Sequence, residues 1–123
     1  MPIVRLCLDL DARRFPPGWL DRLAWCARLW RWRPEAVRCD RTARGFHVVV
    51  TAIAPERTTD LHVVAAQAIL GSDPRREAFN LARVHHIALG NVPPFWRARW
   101  NVLYARHSRP KRRGSVRRGK PRE

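Results

Sequence analysis

The chain has 123 residues and a formal net charge of +15, with Lys111 and Lys120 the only lysines among 25 basic side chains. That length suits one domain burying roughly 65% of its unfolded surface, so neither disulfides nor a structural metal is required. Cys7, Cys26 and Cys39 are odd in number and widely spaced, which argues against a disulfide or zinc framework and fits reduced packing residues in a cytoplasmic protein.

No signal peptide or membrane span is expected, because the N-terminus enters a candidate strand at once and Arg or Asp interrupts every hydrophobic stretch. The arginine surplus predicts a polyanionic partner. Arginine binds phosphate bidentately and stacks on bases, which favours nucleic acid over a membrane surface.

Ile3 to Asp11 alternates, sending Val4, Leu6, Leu8 and Leu10 to a core and Asp9 and Asp11 to the other face. Pro16-Pro17-Gly18 opens a helix that carries Trp19, Leu23, Cys26 and Trp30 at helical spacing, runs to about Trp32 and stops at Pro34. Glu35 to Arg41 reads as a second strand and about Gly45 to Ile53 as a third, joined by a turn. Parity sends Phe46, Val48 and Val50 one way and His47, Val49 and Thr51 the other.

Thr58 or Thr59 caps a second helix with Leu61, Val64, Ala65 and Ile69 on one face and Gly71 at its end. Asp73-Pro74 starts a further helix to about Val84, and His85 to Phe95 is irregular. Trp100 to His107 reads as a last strand. Residues 1–107 then form the core, and residues 108–123 a basic, disordered tail; from Arg109 onward it holds eight Lys or Arg against one Glu. The element order matches an α+β, ferredoxin-like (RRM-like) split β-α-β sandwich: an antiparallel sheet with helices on one face and the other face open.

That open face carries the candidate chemistry. Asp9 and Asp11, two apart on a strand, place both carboxylates within reach of one Mg²⁺ or Mn²⁺; the competing reading is a solvated strand end. In the turn and third strand, Thr42, Arg44 and His47 bring three phosphate-binding group types to one corner. Asp73 is a third candidate ligand, with helix capping as its competing role. Arg83, Arg97, Arg99, Arg112, Arg113, Arg117 and Arg118 are candidate nucleic-acid contacts. Trp96 and Trp100, flanking Arg97 and Arg99, suit either base stacking or core packing. His85-His86 reads as a surface pair rather than a metal site.

Two of these motifs resemble the archaeo-eukaryotic primase superfamily, whose catalytic core is an RRM-like sheet. Leu8-Asp9-Leu10-Asp11 is similar to its metal-holding hydrophobic-Asp-hydrophobic-Asp strand. Thr42-Ala43-Arg44-Gly45-Phe46-His47 is similar to its Ser-x-x-Gly-x-His element, with threonine for serine. The resemblance implies a minimal nucleotidyltransferase: Asp9, Asp11 and Asp73 hold the metals, His47 joins the catalytic set, and Thr42, Arg44 and His47 receive a nucleoside triphosphate. Single-stranded or template-primer DNA or RNA would be the second substrate.

The chain departs from that pattern where Asn80-Leu81-Ala82-Arg83 offers asparagine for the third motif's second aspartate. It is also shorter than typical primases, and it lacks their zinc-binding cysteines. Gly71-Ser72-Asp73-Pro74-Arg75-Arg76 also resembles a Gly-x-Asp-Pro-x-Arg segment of short phage-encoded proteins. A different class of function rests on Arg44-Gly45-Phe46, which partly matches the RNP1 element of RNA-recognition motifs and predicts a non-catalytic single-strand binder or replication or packaging accessory. The two readings differ in parity: RNP1 stacking needs Phe46 exposed, and the nucleotide site needs His47 exposed.

Overall fold

The computed structural model describes residues 2–93 and 95–103. Three strands, β1 (Ile3–Leu10), β2 (Arg33–Arg41) and β3 (Phe46–Ile53), form one antiparallel sheet in the order β1-β3-β2. Both outer strands run antiparallel to β3, so β1 and β2 are parallel to each other and joined through α1 (Trp19–Trp30), a split β-α-β unit. Alternation fixes the register. Leu6, Leu8 and Leu10 of β1 lie opposite Val50, Val48 and Phe46 of β3 and face the core with them.

Helices pack on that apolar face. Trp19 and Leu23 of α1, Val63, Val64 and Ala66 of α2 (Asp60–Ile69), and Val84 and Ile87 of α3 (Pro74–Leu89) join one core with the strands. The Trp19 indole donates to the Leu70 carbonyl at 2.9 Å, so this large side chain is buried without an orphaned donor. Helix α1 ends earlier than Pro34 requires, because Arg31 takes a left-handed conformation at its C-cap. Pro34 instead lies in β2, where an edge strand tolerates a missing N–H.

Several sequence expectations need correction. On α2 the buried residues are Val63, Val64, Ala66 and Gln67, while Leu61 and Ile69 are exposed. The helix is turned because the Gln67 amide is a core group: Oε1 accepts from the Cys7 N–H at 2.8 Å, and Nε2 donates to Glu77 at 2.7 Å. Helix α3 continues through His85 and His86 to Leu89 and closes at Gly90. Its buried stripe of Glu77, Asn80, Val84 and Ile87 holds helical spacing across that polar interruption. Cys39 is exposed rather than packed, since β2 is open along its whole length.

The expected last strand is absent from its described portion. Trp96–Arg99 forms a short helix, α4, and Trp100 to Leu103 has no strand; the remainder of that segment and the basic tail lie outside the described residues. Side chains and one backbone N–H serve the outer edge of β1 instead. Asn101 Nδ2 donates to the Arg5 carbonyl at 3.2 Å and Arg76 Nη1 to the Cys7 carbonyl at 2.6 Å. Ser72 Oγ accepts from the Asp9 N–H at 3.0 Å, and the Asp73 N–H donates to the Asp9 carbonyl at 2.7 Å. Together with Gln67, these groups satisfy the outward C=O of Arg5 and the N–H and C=O of Cys7 and Asp9, positions a neighbouring strand would use.

Among the described residues no helix is long and apolar enough to cross a membrane.

Candidate functional site

A cleft of about 600 Å³ opens where the uncovered face of β1 and β3 meets the flank of α3. Asp9, Thr42, Arg44 and His47 line it from the sheet side, Asp73, Arg75, Arg76, Phe79 and Arg83 from the helix side, with Val102 and Leu103 beside them. Each position follows from local rules. Asp9 sits opposite His47 in the β1–β3 register, and both alternate away from the core, leaving His47 Nε2 3.7 Å from Asp9 Oδ1. Phe46, one residue earlier, is buried against Phe15. Parity therefore turns His47 rather than Phe46 toward the cleft, with 14% of the His47 side chain exposed, and leaves Phe46 unable to stack a base as RNP1 would require.

The turn before β3 is closed from both ends. Thr42 Oγ1 accepts from the Gly45 N–H at 3.0 Å, and the Thr42 N–H donates to the Gly45 carbonyl at 2.9 Å. Glycine is needed here for space: a β-carbon at position 45 would lie 1.8 Å from the Leu10 carbonyl oxygen and 2.8 Å from the Ala12 nitrogen. The hydroxyl of Thr42 thus shapes the turn that presents Arg44, which is exposed at the cleft rim.

On the helix side, Asp73 caps α3 by accepting from the Arg75 N–H at 3.2 Å. Its second carboxylate oxygen has no partner among the described residues, so capping and a cleft role coexist. The backbone bond from Asp73 to Asp9 holds the two aspartates side by side. Four arginines against two aspartates give the lining a cationic bias.

Arg83 is oriented from below. Asn80 Oδ1 accepts from Arg83 Nη1 at 3.1 Å, and Asn80 Nδ2 donates at 3.1 Å to Glu77 Oε1, which also accepts from Gln67. Glu77 Oε2 accepts from Arg76, whose second terminal nitrogen holds Asn101 Oδ1 at 3.0 Å. Gln67, Glu77 and Asn80 are almost fully buried, so these bonds form a fixed polar network rather than a solvated charge cluster.

Of the expected site residues, Asp9, Thr42, Arg44, His47, Asp73 and Arg83 share the cleft. Asp11 does not line it; the residue lies past the end of β1, where the pleat no longer sets its direction, and is exposed. Arg97 and Arg99 line other recesses, Arg97 beside Leu61 and Leu81 and Arg99 beside Arg5 and Trp100. Arg112, Arg113, Arg117 and Arg118 lie outside the described residues. Trp100 packs in the core, and Trp96 is partly buried against it. His85 and His86 are exposed on α3.

Sequence reading missed Arg75 and Phe79. They stand eight and four residues before Arg83, so Arg75, Phe79 and Arg83 form one stripe of α3 that i, i+4 spacing could have revealed. Among the described residues no group of three or more His, Cys, Asp or Glu is placed to hold a metal. The acidic groups that line the cleft, Asp9 and Asp73, are oxygen donors of the kind taken by an ion that uses one or two carboxylates and completes its shell with water and phosphate oxygens. Compared with protein-family models, curated proteins and solved structures, the chain matches none.

Proposed function

We propose that this cleft receives the phosphates of a nucleoside triphosphate with Mg²⁺ or Mn²⁺, and that the chain is a reduced primase-polymerase-type nucleotidyltransferase core working on nucleic acid in the cytoplasm. The observation that carries the reading is the meeting of Asp9, His47, Thr42, Arg44, Asp73 and Arg83 in one cleft from three separate stretches of chain. Arg44 and Arg75 supply positive charge for the triphosphate, and guanidinium groups match phosphate oxygens in pairs. His47, beside Asp9, adds a donor on the sheet side. Asp9 and Asp73 would hold the metal, which when bound would neutralise phosphate charge and activate a 3′-hydroxyl for attack with release of pyrophosphate.

A second reading, a non-catalytic nucleic-acid binder, is favoured by the position of Asp11 outside the cleft. Titrating nucleoside triphosphate and Mn²⁺ or Mg²⁺ into the native protein and into Asp9→Asn separates the two. The nucleotidyltransferase reading expects metal-dependent triphosphate binding and template-directed extension to disappear together, since the amide keeps the shape and loses the charge that ion capture requires. The binder reading expects the opposite sign: metal-independent nucleic-acid binding that tightens when the carboxylate is removed. Triphosphate binding that ignores both the metal and Asp9→Asn would overturn the proposed site.

A further inference from the structure

From the wall of the cleft outward, four side chains form a continuous ledge whose two end rings are exposed. Phe79 on α3 is 58% exposed despite lining the cleft, and Arg83 lies over its ring at 6.0 Å. The same guanidinium lies 5.2 Å from the Trp96 ring centroid. Trp96 in turn is stacked on Phe95, with ring centroids 5.6 Å apart and planes 24° apart, and Phe95 is also 58% exposed. The order along the surface is phenylalanine, arginine, tryptophan, phenylalanine. Packing does not explain the two outer rings: Trp100 and Trp96 join the core, whereas Phe79 and Phe95 do not.

Exposed phenyl rings beside a guanidinium suit unpaired bases. Every base offers a π-face to an aromatic ring, and arginine adds both stacking and phosphate attraction. A duplex would not fit that chemistry, because its bases are already stacked on one another. An apolar protein partner would fit the rings and leave Arg83 without an anion. Arg83 is held in place by Asn80, so the ledge is organised before any ligand arrives.

We propose that Phe79, Arg83, Trp96 and Phe95 are a binding track for single-stranded nucleic acid, with Phe79 and Phe95 stacking bases, Trp96 backing Arg83, and Arg83 holding the strand's phosphates. The track leads out of the cleft at Phe79, so under the nucleotidyltransferase reading it places the template strand; its binding of a strand does not depend on that reading.

The test is fluorescence anisotropy without metal or triphosphate, using a labelled single strand of about 12 nucleotides, within the site sizes common for such surfaces, and an abasic strand of equal length. Phe79→Ala and Phe95→Ala should each weaken binding of the base-bearing strand by roughly 5- to 100-fold. Neither should change binding of the abasic strand or the salt slope, and Phe79→Trp should retain affinity. Arg83→Met should weaken both strands. Thermal melting of each variant shows that the fold is kept, as expected for exposed rings.

Equal affinity in native protein and both alanine variants would overturn the track. So would equal losses on base-bearing and abasic strands, which would assign the rings to the fold or to a protein partner. Phe95→Ala should leave metal-dependent triphosphate binding intact, whereas Asp9→Asn should abolish that binding and spare the track, so the two proposals fail separately.

Discussion

Replacing Gly45 by alanine tests whether the corner holding Thr42, Arg44 and His47 is fixed by close approach of two backbones. The new β-carbon would lie 1.8 Å from the Leu10 carbonyl oxygen, while ordinary contact begins at 3.4 Å, so turn and strand end must part by about 1.6 Å. Both obstructing groups are backbone, and no flexible side chain can yield. Where Gly45 withdraws by that distance it leaves Thr42 as well as Leu10, and loses the two hydrogen bonds that close the turn, each worth about 1 kcal/mol. Overpacking adds about 1–3 kcal/mol, for a total of about 3–5 kcal/mol. At roughly 4–8 °C per kcal/mol in a domain of this size, the melting temperature should fall by at least about 12 °C. Gly90→Ala is the control: nothing lies within 4 Å of its added carbon, so only left-handed strain of about 1–2 kcal/mol should appear. Calorimetry on both variants decides. Equal shifts, or a Gly45→Ala shift within about 3 °C of zero, would refute the argument from close approach.

Glu77→Gln should destabilise the fold by about 3 kcal/mol in chemical denaturation, because donors from Gln67, Asn80 and Arg76 converge on the carboxylate and an amide can accept from only one side. Iodoacetamide at neutral pH should label Cys39 first and reach buried Cys7 and Cys26 only after unfolding, as read by mass spectrometry. Desolvation, and then the charge of Asp40, raise the Cys39 thiol above its usual 9.0, so its labelling rate should keep climbing as pH passes that value. Deleting Arg109 to Glu123 removes eight cationic side chains and one carboxylate, and should lower the salt slope of single-strand binding by about 0.7 for each phosphate that the tail neutralises. An unchanged slope would take the tail out of the interface.

What was legible in the sequence is what depends on short-range periodicity. Two-residue alternation in Leu6-Cys7-Leu8-Asp9-Leu10 and Phe46-His47-Val48 sufficed to place Asp9 and His47 on one face and Phe46 beneath it. Asp73-Pro74 announced the start of α3 through cap chemistry, and the structure has that cap. The inner face of α2 and the far end of α3 were misread because Gln67, Glu77, Asn80 and His85-His86 look like surface residues in a hydrophobic pattern. Gln67, Glu77 and Asn80 are buried because they bond to one another and, through Gln67, to the backbone of Cys7, 60 residues away. No local pattern carries that information. The expected fourth strand failed in its described part for the same reason, since the groups that complete the edge of β1 come from scattered positions.

That completed edge and the cleft share one construction. Ser72 and Asp73 bind the backbone of Asp9 on the outer side of β1, and the same bonds bring the start of α3 against Asp9, so that Asp73 lines the cleft with it. Arg76 reaches the Cys7 carbonyl and, through Glu77 and Asn80, is linked to the group that orients Arg83 at the cleft wall. A regular fourth strand would satisfy the β1 edge with its own backbone and leave these side chains without their present partners. In this chain the partners of β1 are the Asp73 N–H and side chains of Gln67, Ser72, Arg76 and Asn101, so sealing the sheet edge also sets the positions of Asp73 and Arg83. Asp11 falls outside this arrangement: the bonds along the edge end at Asp9, and Leu10 is already in close contact with Gly45. The second acidic residue that the fold brings to the cleft with Asp9 is therefore Asp73, at the start of α3, rather than its sequence neighbour.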